Sequence, residues 1–124
     1  MGTTNEFDLT GFSQAIRSAD WQYQLAQYAD NAEVEIVAAA QPAAPLGTLR
    51  GKPAIEQWLD AMSARAVGFD VRDAWSSPDK VEYTEECRYR DGSKLLFACT
   101  ARVRGGQISQ AAMTVVQFPP QAGN

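Results

Sequence analysis

The spacing of apolar side chains changes once along this chain, near Gly68, and that change divides it into a helical part and a strand part. Before it, Leu9, Phe12 and Ile16 recur at helical intervals and predict a helix over Asp8–Ser18. Asp20 can cap a second helix over Trp21–Tyr28, with Trp21, Leu25 and Tyr28 as its apolar stripe. The turn-prone run Tyr28-Ala29-Asp30-Asn31-Ala32 ends that helix. Glu33–Ala40 then alternates as a strand does, with Val34, Ile36, Ala38 and Ala40 on one face and Glu33 and Glu35 on the other. Pro42, Pro45 and Gly47 mark residues 41–47 as a loop, and Thr48–Arg50 as a short extended piece after it. Gly51-Lys52-Pro53 opens a third helix reaching Arg65, because proline's missing N–H costs nothing in a first turn. Its apolar face is Ile55, Trp58, Leu59 and Met62.

After Gly68 the period shortens to that of strands. Phe69–Ser76, Lys80–Arg90, Lys94–Arg104 and Gln107–Phe118 are the predicted strands. Asp91-Gly92 and Gly105-Gly106 separate the last three, and both dipeptides tolerate the positive φ of a tight hairpin. Pro119-Pro120 closes the pattern. Helices first and a meander afterwards define an α+β class. The expected architecture is three N-terminal helices packed on a strongly curved, mostly antiparallel sheet, forming a cone with an internal pocket.

Length makes this one domain: 124 residues hold one core and leave little for a second. A formal charge of -4 argues against nucleic acid and anionic membrane as partners. Arg102-Val103-Arg104-Gly105-Gly106 superficially resembles an arginine-glycine RNA box, but a Gly-Gly hairpin explains it better. The first residues have neither a basic start nor an apolar run, so no signal peptide is expected and a cytoplasmic location is. Cys87 and Cys99 lie inside apolar strands and read as reduced, buried thiols. The chain has no histidine. That excludes serine and cysteine nucleophiles activated by histidine, and it removes the commonest zinc ligand. Acid–base chemistry must then use Asp, Glu, Lys, Tyr or Cys, and no metal or cofactor is expected.

Three landmarks carry a family resemblance: Tyr28-Ala29-Asp30-Asn31-Ala32-Glu33-Val34, Leu49-Arg50-Gly51-Lys52-Pro53-Ala54-Ile55-Glu56-Gln57-Trp58-Leu59, and Arg102-Val103-Arg104-Gly105-Gly106-Gln107-Ile108. In order and spacing they resemble the nuclear-transport-factor-2-like superfamily, whose members include ketosteroid isomerases, limonene-epoxide-hydrolase-like enzymes and polyketide-cyclase-like proteins. The resemblance runs from Phe7 to Phe118 and implies a pocket inside a curved sheet. It also implies absences. Phe12, Ile36 and Ala101 stand where the isomerase pattern has a tyrosine, a catalytic aspartate and a further acid. Steroid isomerisation by that mechanism is therefore not expected. Glu86 and Arg88 match an arginine and an aspartate of the epoxide-hydrolase-like pattern with the charges exchanged.

Two registers of the strand Lys80–Arg90 are open. Plain alternation puts Val81, Tyr83, Glu85, Cys87 and Tyr89 on one face, with Glu85 a lone carboxylate among apolar neighbours. The ungapped family match instead turns Thr84, Glu86 and Arg88 into the pocket, and a slip of one residue interconverts the two. The match makes Glu86 and Arg88 the catalytic candidates. It gives Phe12, Tyr28, Ile36, Trp58, Thr84, Phe97, Cys99 and Ala101 as pocket lining. For each, core packing or a solvated ion pair is the plainer alternative. Asp73 and Asp60 read as solvated charges and Trp21 as core.

Two functions follow. One is a pocket for a small, mostly apolar organic ligand, with cofactor-independent acid–base catalysis of isomerase, hydratase or cyclase type. The other is a non-catalytic dimeric sensing or interaction module. An open cavity with Glu86 at its floor would favour the first, and an interior packed shut by Phe12, Trp58 and Tyr28 the second. A homodimer through the outer sheet face is expected, because Leu95, Phe97 and Val103 on one parity and Leu96 and Ala98 on the other leave apolar groups on both faces.

Overall fold

A computed structural model describes residues 7–39 and 44–120. The helices are α1 (Leu9–Arg17), α2 (Trp21–Ala26) and α3 (Lys52–Arg65), and the strands are β1 (Tyr28–Ala38), β2 (Ala44–Arg50), β3 (Ala66–Ser77), β4 (Lys80–Tyr89), β5 (Lys94–Arg104) and β6 (Gln107–Phe118). One sheet holds all six strands in the order β2-β1-β6-β5-β4-β3. Every neighbouring pair is antiparallel except β1 and β6. The class is α+β, with a curved, open sheet.

Each helix begins where a side chain or a missing donor satisfies its first turn. Asp8 accepts from the Gly11 amide at 3.0 Å, and Asp20 from the Tyr23 amide at 3.1 Å. Pro53 lies in the first turn of α3. Arg17 pins the end of α1 to β3, donating to the Val71 carbonyl at 2.8 Å and to Asp70 at 3.3 Å. Buried Gln24 ties α2 to α1 through the Ala15 carbonyl at 3.3 Å.

The last two strands match their predicted bounds, and the Gly105-Gly106 turn has φ of 60° and 78°, as a two-residue hairpin of that kind requires. Three expectations are corrected. Tyr28 does not end α2: the helix stops at Ala26 and Tyr28 opens β1. The run Tyr28–Ala32 is strand rather than turn. Residues 44–47 belong to β2 rather than a loop, while 40–43 lie outside the described residues. Register shifts interrupt the ladders, one of them between Arg72 and Trp75, where Asp73 is exposed with φ of 55°. Such bulges bend a sheet and increase its twist.

The helices cover the inner face. Successive rows of inner side chains can be read across β6, β5 and β4 from the register: Ala111–Ala101–Val81, then Met113–Cys99–Tyr83, then Val115–Phe97–Glu85 with Val71 beyond on β3. The first two rows are fully buried and the third nearly so, with Val115 half-buried. The next row, Leu95–Cys87–Phe69, is half-exposed at both ends. Burial therefore loosens toward the β4–β5 turn, and this end is the open one.

Candidate functional site

Glu85, not Glu86, faces the interior. Along β4 Val81, Tyr83, Glu85 and Cys87 are all buried, while the intervening positions are not. The alternation reading holds, and the placement of Thr84, Glu86 and Arg88 in a pocket is corrected: all three are on the outer face. The physical reason is period. One residue of slip exchanges the faces of a strand, and three apolar or aromatic neighbours outweigh a single charge in choosing the buried one.

Glu86 and Arg88 do pair, at 3.0 Å, but outside. Glu86 also meets Arg72 at 2.8 Å and Lys94 at 4.0 Å, and its side chain is only 14% exposed beneath these cations. Gly68 leaves the space over which the Arg88 guanidinium lies. With three half-exposed cations around one carboxylate, this is a surface ion cluster, in which each pair contributes about 0–1 kcal/mol.

The inner carboxylate is in a different state. Glu85 is 6% exposed, and its carboxyl is not among buried oxygens left without a partner, of which the described residues have none. Burial pushes its pKa up from 4.5 to about 7. Around it lie Tyr83, Cys87, Cys99, Tyr28 and Tyr89. Burial raises the pKa of each of these groups, and the nearby Glu85 charge raises it further. These phenols and thiols are protonated at neutral pH and can donate. A carboxyl that titrates near neutrality, ringed by donors, can take a proton from a carbon acid or give one to a leaving group.

Of the predicted lining, Phe12, Tyr28, Ile36, Phe97, Cys99 and Ala101 are on the inner side and buried. Phe12 meets Phe7, Tyr28 and Tyr83 edge-on, at 5.1, 6.4 and 5.5 Å between ring centres. These rings fill the deep end of the curved sheet, so the pocket expected there is replaced by packed core, the outcome expected of a non-catalytic module. Trp58 is half-buried and stands perpendicular to Phe97 at 5.8 Å. Met62, Phe69, Leu95 and Val115 are half-buried too, and with Trp58 they pack against the core as an apolar mouth at the open end. Trp21 is half-buried against the core, and Asp60 is exposed. The alternation register had already put Tyr83 and Tyr89 on the face of Glu85, but neither was named as a site residue.

A wider groove lies elsewhere. It has a volume of about 980 Å³ and lies open on the outer face of β2, β1, β6 and β5. Its charged side chains include Glu33, Glu35, Arg50, Arg102 and Arg104, none of which makes an ion pair among the described residues. The sheet separates it from Glu85.

By sequence the chain matches no family model and no curated protein. Its three-dimensional relatives are numerous. A nuclear-transport-factor-2-like protein from Mesorhizobium loti superposes with a TM-score of 0.72 at 18% identity, over 86% of each chain. The chain has the nuclear-transport-factor-2-like fold. Other structures with this fold include a candidate ketosteroid isomerase from Kribbella flavida, with a TM-score of 0.67 and 12% identity over 90% of this chain and 78% of that one. A candidate polyketide cyclase from Xanthomonas campestris gives a TM-score of 0.62 and 19% identity over 85% of this chain and 84% of that one. At these identities the likeness is one of fold. A nuclear-transport-factor-2-like sheet is reused for many chemistries, so the chemistry must be argued from the side chains themselves.

Proposed function

We propose that the chain binds a small, mostly apolar organic molecule at the mouth above Glu85, and that Glu85 acts there as a cofactor-independent general acid–base. One observation carries this reading: a carboxyl group on the inner face, only 6% exposed, its pKa raised by burial to about 7. A group so placed is costly to a fold that does not use it. Isomerisation, hydration and cyclisation all need this equipment.

A nitrobenzisoxazole tests the base without knowledge of the natural substrate. A base removes its ring C–H proton, the N–O bond breaks, and the electron pair leaves as a phenolate. The wild type is expected to open it with a rate that rises through a midpoint of about pH 7. Glu85→Gln should lose roughly 10²-fold, within the usual range for a general base, and Glu86→Gln should lose nothing. Equal rates for wild type and Glu85→Gln would rule Glu85 out as the base.

A second proposal concerns the outer face and accompanies either reading of the pocket. We propose that a second copy of the chain seats in the open groove. The expected apolar rationale is weaker than its electrostatic replacement, because β5 presents Ala98, Thr100 and Arg102 outward while Phe97 and Val103 are buried. Two-fold symmetry would set the acids of β1 in one copy against the arginines of β2 and β5 in the other. Exposed Val116 and Phe118 on the same sheet add apolar area. Light scattering at tens of micromolar should give about twice the 13.5 kDa chain mass, falling toward the monomer in Arg102→Glu. A wild-type monomer under those conditions would end the proposal.

A further inference from the structure

Three adjacent strands of the sheet differ in the kind of charge they carry. β1 has acids only, Asp30, Glu33 and Glu35. β5 has cations only, Lys94, Arg102 and Arg104. β6 lies between them and has no charged residue in its 12 positions. The register joins the charged strands into rows across β6: Glu33–Gln110–Arg102, then Glu35–Ala112–Thr100, then Val37–Thr114–Ala98. These rows are on the outer face, since Val34, Ile36, Ala111, Met113, Cys99 and Ala101 of the other parity are buried.

Within the chain these charges go unanswered. Arg102 has Gln110 on one side and Lys80 on the other, and Lys80 turns to Glu82 at 2.9 Å. A like charge directly opposite is unfavourable in a ladder. Glu33 stands opposite Arg50, yet the two form no ion pair. The groove floor at Ala112 and Thr100 is small and its walls are long side chains, so a facing surface of the same kind can interleave with it.

A neutral strip with acids on one side and cations equally far on the other complements a copy of itself under one operation. A two-fold axis parallel to the strands and along β6 exchanges β1 and β5 between the copies. Each Glu33 then faces the other copy's Arg102, while Gln110, Ala112, Thr114 and Val116 meet their own equivalents. Other placements are worse. An axis along β1 sets Glu33 on Glu33, and one along β5 sets Arg102 on Arg102. An axis across the strands stacks each charged strand on itself. With the axis on β6 one like pair remains, Arg50 above Lys80, two strands out at the rim.

We infer that the second copy docks with the two-fold axis along β6, and that Glu33 of each copy pairs with Arg102 of the other. The inference rests on the second-copy reading of the outer face and fixes its geometry.

Sedimentation equilibrium of the full chain at low salt measures the dimer Kd, and circular dichroism checks that each variant is folded. Arg102→Glu and Glu33→Arg should each raise Kd at least tenfold, and the double variant should return to within about threefold of the wild type. Thr114→Cys, on the axis, should cross-link to its equivalent with a short bismaleimide, because packed sheets stand about 10 Å apart. Thr84→Cys, two strands away, should not. Cys87 and Cys99 are at most 3% exposed and stay out of the reaction. A dimer that ignores the single reversals, or does not recover in the double variant, would place the axis elsewhere and leave the second copy standing. So would cross-linking through Thr84→Cys rather than Thr114→Cys. A wild-type monomer would remove the second copy and this inference with it.

Discussion

Glu85→Gln should change the pH dependence of stability more than any other single substitution on β4. The sign follows from the direction of the shift. The folded-state pKa is raised from 4.5 to about 7, so the native state holds a proton that the unfolded chain has released. Below about pH 4.5 the group is protonated in both states and costs nothing. Between about pH 4.5 and 7 wild-type stability falls as pH rises, and above that interval the full cost is present. A shift of this size corresponds to about 3 kcal/mol at roughly 1.4 kcal/mol per unit. Glutamine has no charge to bury. Its amide adds a desolvation term of its own, but that term does not vary with pH. The stability difference between variant and wild type should therefore move by about 3 kcal/mol in the variant's favour between pH 4 and pH 8. Urea unfolding at the two pH values measures it. Parallel pH profiles for the two proteins would show that Glu85 is solvated in the native state and that its burial has been misjudged.

Phe12→Ala should cost still more. Phe12 is 1% exposed, and three aromatic rings meet it edge-on. Truncation removes the transfer energy of the ring and leaves a space between α1 and the sheet that Tyr28 and Tyr83 cannot close without tilting. Comparable substitutions lose about 3–5 kcal/mol, a large share of the roughly 5–15 kcal/mol that holds a typical domain together. A shift in the urea midpoint with an unchanged slope would report it. A loss below about 1 kcal/mol would mean that the deep end of the cone is loosely filled. That result would reopen the interior as a ligand cavity.

The late strands were legible because two independent signals agreed there, alternation along each strand and a turn dipeptide between strands. The start of β1 was not. Asp30 and Asn31 disfavour strands by local propensity, and Tyr28 completes an apolar stripe with Trp21 and Leu25. What decides the matter is a partner far away in sequence: Tyr28 lies beside Ile108 of β6, and the Ile108 amide donates to the Gln27 carbonyl at 2.8 Å. No local window contains that information. The candidate site was half legible. The parity of Val81, Tyr83 and Cys87 already pointed to Glu85, and only the family match, one residue out of phase, pointed to Glu86.

The single parallel pairing in the sheet governs the order in which the protein can assemble. β1 and β2 can pair with each other early, but the other edge of β1 waits for β6, about 80 residues later: Glu33 pairs with Gln110 and Val34 with Ala111. The β3–β6 meander needs only neighbouring turns. Loop closure over such a span is slow, so the meander should form first and the N-terminal hairpin dock last. While the chain is being synthesised, the free edge of β1 has no neighbour until β6 emerges. That interval is when this protein is most exposed to edge-to-edge association with other nascent chains.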